Sequence, residues 1–225
     1  MPNDFHNISK TFDVVYDTLR NRIMTPELPP ATKLNRRELE AEFGVSQTPI
    51  RDAMTRLSDE HLIDIFRQSK TMVARINLEE LHTVFLLRNA MKNDLAERLA
   101  QGVSPADFEC AHHIVRIQQL GLSANETLET FVEQQDMFVK SLYQMTGPVN
   151  VYNVLSEQTA PFLRYRLLDV GIQWRREQIL DLNFETLEGI KDRDRDKITD
   201  ALRQQLEALL KSQTELKENF PDYCT

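Results

Sequence analysis

Glycine is scarce, with 6 in 225 residues, and neither GxGxxG nor GxxxxGK[ST] occurs. That excludes a glycine-rich backbone loop wrapped around phosphates. Cysteine is scarcer still. Cys110 and Cys224 stand alone and make neither a disulfide framework nor a CxxC metal pair. No apolar run approaches the length of a membrane-spanning helix. The opening Met1-Pro2-Asn3-Asp4 has no basic stretch leading into an apolar one, so no secretory signal is expected and the protein is expected in the cytoplasm. What is present is 41% hydrophobic and 28% charged residues, enough to bury the core of one large domain or two small ones. The few glycines are spaced like helix ends, so the expected class is mainly α.

The net charge of −8 argues superficially against a nucleic-acid partner. Its distribution reverses that. Residues 1–76 hold 11 Lys+Arg against 11 Asp+Glu, whereas residues 77–225 hold 16 against 24. A neutral amino-terminal domain can still show a basic face if its acids point elsewhere.

Phe12, Val15, Tyr16, Leu19 and Ile23 repeat at helical spacing, with Ser9 or Thr11 as the expected cap and Pro26 as the stop. Asn35-Arg36-Arg37-Glu38 fits a capping box that opens a short helix ending at Gly44. Ser46 is then placed to cap a second helix. Its buried stripe is Ile50, Ala53, Met54 and Leu57, and Pro49 is tolerable in its first turn. Ile63–Phe66 and Thr71–Ile76 read as two strands around a turn at 67–70. Helix, helix-turn-helix and hairpin together predict a winged helix-turn-helix over 1–76, with the hairpin as its small wing. Residues 77–225 predict an all-α helical bundle with helices at 78–101, 104–120, 125–146, 149–170, 172–190 and 195–219, and a frayed tail after Phe220.

The stretch from Leu34 through Gly44-Val45-Ser46-Gln47-Thr48-Pro49-Ile50-Arg51-Asp52-Ala53 to Leu57 and Leu62-Ile63 resembles the GntR family of bacterial transcription regulators. The helical carboxy-terminal part, with Leu87-Arg88 and Phe131, Asp136 and Phe138, looks like the branch carrying a FadR C-terminal-like (FCD) domain. The resemblance implies a homodimeric regulator, usually a repressor. Such a regulator binds a double-stranded DNA operator under control of a small-molecule effector.

Arg37, Thr48 and Arg51 fall on positions the family uses for DNA, and Ser46 and Thr48 can also bond phosphate. An arginine at the start of a helix in the major groove reaches both guanine acceptors. Two departures stand out. Gln47 replaces the family's usual arginine, and Lys70 stands near its usual wing glycine, so an altered operator sequence is expected. Arg56, further along, is expected at the DNA backbone or in solvent. The bland alternative for these arginines is solvated surface charge.

Many FCD domains are thought to hold a divalent metal through an Asp-x3-His pair and two further histidines. In this chain the matching positions are Asp136, Lys140, Asn183 and Gln205. Lysine has no acceptor and carboxamides are poor ligands, so no metal cofactor is expected. The same residues lie on apolar helix faces, and with Arg88, and Arg164 or Arg166, they are expected to line a pocket for a small anion such as a carboxylate. Against that stands an exposed Asp136/Lys140 pair worth about 0.3–0.5 kcal/mol. The alternatives to an effector-controlled regulator are a constitutive one with a non-functional pocket, and a helical enzyme using Asp136 and Lys140 as acid and base. The enzyme lacks a nucleophile–base–orienter set and any HExxH motif, so a non-enzyme is expected. His112 and His113 are adjacent, pointing about 100° apart on a helix, which disfavours a shared metal. Trp174 is expected to pack in the core.

Overall fold

The computed structural model describes residues 4–25, 27–66, 70–147, 152, 153 and 160–225. It contains, among them, nine helices and one two-stranded antiparallel hairpin. By their internal contacts they form two units. The first runs to Asn77 and also takes in the start of a late helix, through Tyr165, and Phe220–Thr225. The second takes the remaining helices.

In the first unit, α1 (Asp4–Met24) buries Val15, Tyr16, Leu19 and Ile23, the residues its periodicity selects. It begins before the expected caps, so Ser9 and Thr11 fall within it. Helix α2 (Arg36–Phe43) is capped by Asn35, whose side chain accepts from the Arg37 amide at 3.0 Å. The expected reciprocal box differs in detail: Glu38 accepts from the Asn35 side-chain amide at 2.9 Å. Gly44 closes α2 at φ 64°, the left-handed conformation glycine adopts without a steric penalty, and turns the chain toward α3 (Gln47–Asp59). Ser46 occupies the cap position without a side-chain hydrogen bond.

Strands β1 (Ile63–Phe66) and β2 (Lys70–Val73) pair from Ile63 opposite Val73 to Phe66 opposite Lys70. Lys70 therefore belongs to the strand, where a turn position was expected. The rest of the predicted turn, 67–69, lies outside the described residues. The second strand also stops earlier than its apolar pattern suggests. Ala31–Leu34 flanks β2 on its other side, with Leu34 N–H donating to Thr71 O at 2.9 Å. Ile76 instead bridges Cys224 in parallel, donating to Tyr223 O at 2.8 Å and accepting from Thr225 N–H at 3.0 Å. The tail expected to fray is thus backbone-paired. Arg164, buried in the same unit, donates to Ala74 O at 2.9 Å, and burial lowers its pKa to about 10.

The second unit holds α4 (Leu78–Ala100), α5 (Pro105–Ser123), α6 (Leu128–Thr146), the end of α7 (Ala160–Val170), α8 (Gln173–Asp192) and α9 (Arg195–Asn219). Ser104 caps α5 through the Asp107 amide, and Thr127 caps α6 through the Thr130 amide, which moves its start past the expected 125. Of the helix expected over 149–170, residues 149–151 and 154–159 lie outside the described residues. Helix α8 packs on α5 and α9, α4 on α6 and α9, and α5 on α6. Between α8 and α9 the chain reverses through Arg193, at φ 57°, and Asp194 N–H donates to Gly189 O at 2.8 Å. A Cβ on Gly189 would lie 2.8 Å from Ile198 Cγ1. Gly189→Ala is therefore expected to cost about 1–3 kcal/mol by overpacking, read as a lowered denaturant midpoint with unchanged slope.

Candidate functional site

Helix α3 divides its residues cleanly. Pro49, Ile50, Ala53, Met54 and Leu57 are buried, while Ser46, Gln47, Thr48 and Arg51 are exposed. Arg51 is 61% exposed and, among the described residues, its one ion pair is with the neighbouring Asp52, at 3.2 Å. An exposed pair of that kind is worth little and exchanges readily for another acceptor. Since Ser46 does not cap them, the first amides of α3 are also available to an anion.

Beside the start of α3 opens a groove of about 870 Å³ whose lining includes Lys33, Arg36, Arg37, Gln47 and Lys70. Several acids of this unit are occupied elsewhere. Arg22 meets Glu42 at 2.5 Å and Glu27 at 3.1 Å, and Glu60 takes Arg20, Arg56 and the Tyr16 hydroxyl. Among the described residues no ion pair holds Lys33, Arg36, Arg37 or Lys70, and these cations outnumber the acids of the same lining, Glu38 and Glu40, so the groove is net basic although the domain is neutral. Arg56 is not part of it. Its guanidinium lies 4.0 Å from the Tyr16 ring centroid, stacked toward α1. Burial and the Glu60 carboxylate raise the Tyr16 pKa.

The second unit encloses a cavity of about 100 Å³. Its charged lining is Arg88, Lys92, Arg166, Asp169 and Arg175. Arg175 and Asp169, each 1% exposed, form a bidentate pair at 2.9 and 3.0 Å. Arg166 meets the Asp136 carboxylate at 2.5 Å. Burial, and then the Arg166 charge, lower the Arg88 pKa to about 10, so it stays a cation at neutral pH in surroundings that disfavour its charge. Gln135 and Gln205 also line the cavity and belong to a cluster of four carboxamides. Asn183, 0% exposed, donates to Gln135 at 2.7 Å and to Gln118 at 3.0 Å. Its oxygen accepts from Gln205 at 3.0 Å and from Gln135 at 3.2 Å.

Residues 11–73 match the family described as bacterial regulatory proteins, gntR family. This segment is a GntR domain. Along nearly the whole chain, the HTH-type transcriptional repressor RspR of Escherichia coli K12 is 22% identical over 209 residues, 93% of this chain and 91% of RspR. The gluconate operon transcriptional repressor of Bacillus licheniformis is 23% identical, covering 83% of this chain and 78% of its own. In structure, E. coli McbR/YncC superposes with a TM-score of 0.63 at 14% identity, over 93% of this chain and 98% of that one. A putative GntR regulator from Rhodococcus sp. RHA1 gives 0.62 at 18%, over 88% and 94%. The two structural likenesses show a shared fold.

On the GntR domain, Arg37, Ser46, Gln47, Thr48, Arg51 and Lys70 are all exposed, with Arg37, Gln47 and Lys70 lining one groove. The second unit departs further from expectation. Arg88 and Gln205 line the cavity and Asn183 lies in the carboxamide cluster that includes Gln205, but Lys140 is exposed and is not among the residues lining that cavity. Asp136 turns to Arg166. Helix α6 buries Phe131, Gln135, Phe138 and Leu142 together with Val132 and Tyr143, and brings Gln135, Val139, Leu142 and Tyr143 to the cavity, while Asp136 is absent from its lining. Arg164 serves the first unit. Trp174 is 45% exposed, with the Arg175 guanidinium 5.4 Å from its ring centroid.

The positions onto which the family's metal ligands fall do not fit a cation. Asn183 donates to Gln118 and Gln135 and accepts from Gln205, Asp136 neutralises Arg166, and Lys140 brings its own charge. Gln118 and Gln135 were missed in the sequence. Their signal was present: Gln118 continues the buried stripe Ala111, Ile114 and Val115, and Gln135 sits between Phe131 and Phe138. The Arg175–Asp169 pair crosses a helix break and left no periodic trace.

Proposed function

We propose that the protein is an effector-controlled transcription regulator of the GntR family, of FCD type, acting as a homodimer that represses from a short operator. The exposed edge of α3 carries this reading most directly, with Gln47, Thr48 and Arg51 outside and its apolar stripe inside. In the major groove Arg51 reads guanine, and Gln47 offers the donor and acceptor that adenine matches. Ser46, Thr48 and Arg37 hold phosphates, and Lys70 on the hairpin adds a contact to the DNA backbone or minor groove. The repressor names of RspR and the gluconate operon protein support repression as the mode.

The basic cavity of the second unit is the effector site, taking a small anion. Ligand binding favours one arrangement of two DNA-binding domains over another. Coupling of about 1–3 kcal/mol changes operator affinity about 5–150-fold. Asp136 is paired with Arg166 and Lys140 is exposed, which speaks against the acid–base pair of an enzymatic reading. Among the described residues no helix is long and apolar enough to cross a membrane, in keeping with a cytoplasmic regulator.

The test is a gel shift of the full-length protein on the intergenic duplex upstream of its own gene, with and without small organic acids. A specific shift that the acids modulate is expected, and a shift indistinguishable from that on random duplex ends the proposal. Within the same assay Lys70→Ala is expected to lower the dependence of log affinity on log salt by about one unit. An unchanged slope would remove Lys70 from the interface.

A further inference from the structure

We infer that Phe220–Thr225 is a releasable strap: docked along Ile76 it orders the segment that joins the hairpin to α4, and its release weakens the hold on the operator. The effect on the operator rests on the regulator reading above, whereas the docking rests on its own geometry.

Strand β2 ends at Val73, and the residues after it find backbone partners elsewhere. Ala74 N–H donates to Leu62 O at 2.9 Å. Both backbone groups of Ile76 go to the strap, its N–H donating to Tyr223 O at 2.8 Å and its carbonyl accepting from Thr225 N–H at 3.0 Å. A second tie crosses the first. Arg164 donates to Ala74 O at 2.9 Å, and its guanidinium lies 5.7 Å from the Tyr223 ring centroid. Tyr223 in turn meets the Phe220 ring edge-on at 5.2 Å. Ala74, Ile76, Arg164 and Cys224 are all buried. The Arg75–Asp222 pair, at 4.0 Å and exposed, adds little.

These ties gather three places at which the chain passes between the two units, after Asn77, after Tyr165 and before Phe220. Ile76 leads into α4, Arg164 lies in α7 and the strap continues α9. A displacement of α7 or of the end of α9 therefore reaches Ala74 or Ile76 through covalent chain and a few hydrogen bonds. A relay of that kind also needs an element with two states.

Opposing effects meet in the docked strap and bring release within reach. Burying Ile76 and Cys224 favours docking. Against it, Arg164 is 3% exposed, forms no ion pair among the described residues, and has no hydrogen-bond partner there for its Nη2. A buried guanidinium so sparsely compensated is costly, and undocking returns it to water. The strap itself meets Ile76 through a single bridge. Undocking frees residues 74–77, and that freedom has to be removed again when the operator is bound, so release lowers affinity.

The experiment locks and loosens the strap in the full-length protein. Cys110→Ser removes the exposed thiol. Ile76→Cys then stands opposite Cys224, its bridge partner, at a strand spacing within disulfide reach. Diamide closes the lock and dithiothreitol reopens it. Thr225→Pro loosens the strap, because the side chain is exposed and proline removes the N–H given to Ile76 O. Amide exchange in peptides spanning 74–77, by mass spectrometry, and affinity for the upstream duplex are read together. Thr225→Pro is expected to exchange about fivefold faster there, the worth of one backbone hydrogen bond. It is also expected to bind the duplex about twofold to fivefold more weakly. The oxidised lock is expected to exchange more slowly, and to bind about twofold or more tighter, than the same protein reduced. If Ile76→Cys fails to fold by circular dichroism, Thr225→Pro carries both readouts. Exchange that ignores these variants shows that the strap is not docked in solution and overturns the inference. Exchange that responds while specific affinity stays within about twofold in every form makes the strap structural only, and overturns it as well. If the parent shows no preference for the upstream duplex over random duplex, the regulator reading falls and the inference falls with it.

Discussion

Arg51→Ala is expected to lower affinity for the operator about 5–150-fold while leaving the fold intact, the loss of one bidentate contact to a base edge being worth about 1–3 kcal/mol. The side chain is solvent-exposed, contributes nothing to the buried stripe of α3, and its pairing with Asp52 lies between two exposed neighbours. Alanine is at least as good a helix former as arginine. A melting curve matching the parent, with gel-shift affinity for the upstream duplex down by that factor and discrimination against random duplex reduced, is the expected combination. Lys70→Ala should differ in kind, weakening both duplexes about equally. Specific affinity within twofold of the parent for Arg51→Ala would mean that α3 does not read bases through this residue.

The second large effect concerns stability. Asp169→Ala or Arg175→Ala is expected to cost about 3–5 kcal/mol, because each leaves a buried, uncompensated charge. Both side chains are 1% exposed and joined by two hydrogen bonds, so neither can reach water without local opening. Gln178 also accepts from Arg175, so an orphaned guanidinium keeps one neutral partner where an orphaned Asp169 keeps none from this pair. The double variant Asp169→Leu with Arg175→Met should recover most of the loss, since the desolvation penalty goes together with the attraction. Urea unfolding of the parent, Asp169→Leu, Arg175→Met and their double variant provides the cycle. Single variants within 1 kcal/mol of the parent would show that the pair is hydrated in solution. Both residues line the cavity, so the double variant also separates stability from ligand affinity.

The carboxamide cluster shows why half of this site was legible and half was not. On α3 only one helix face is apolar, so spacing alone assigns Ile50, Ala53, Met54 and Leu57 inward and Arg51 outward. On α6 both Phe131-Gln135-Phe138-Leu142 and Val132-Asp136-Val139-Tyr143 are plausible inner stripes. Both reach the cavity, Gln135 and Leu142 from the first and Val139 and Tyr143 from the second, and a helix covered on more than one side does not announce which residue of a stripe ends there. Within the second stripe the carboxylate of Asp136 is drawn off by Arg166, and the polar group that α6 brings to the cavity is Gln135 of the first. Asn183 was legible because apolar residues surround it on its own helix. Its partners were not, since Gln118, Gln135 and Gln205 come from three other helices and meet only through packing.

Local chemistry in the chain itself determined the helix-turn-helix, its exposed reading edge and the helical character of the rest. Gly44 supplies a left-handed backbone, Pro49 fits only a first turn, and apolar periodicity selects a buried face; each acts within a few residues. The docking of the tail on Ile76, the burial of Asp169 against Arg175 and the azimuth of α6 were decided by tertiary structure. Each joins groups whose pairing depends on what other segments place beside them, and a one-dimensional pattern carries no record of that.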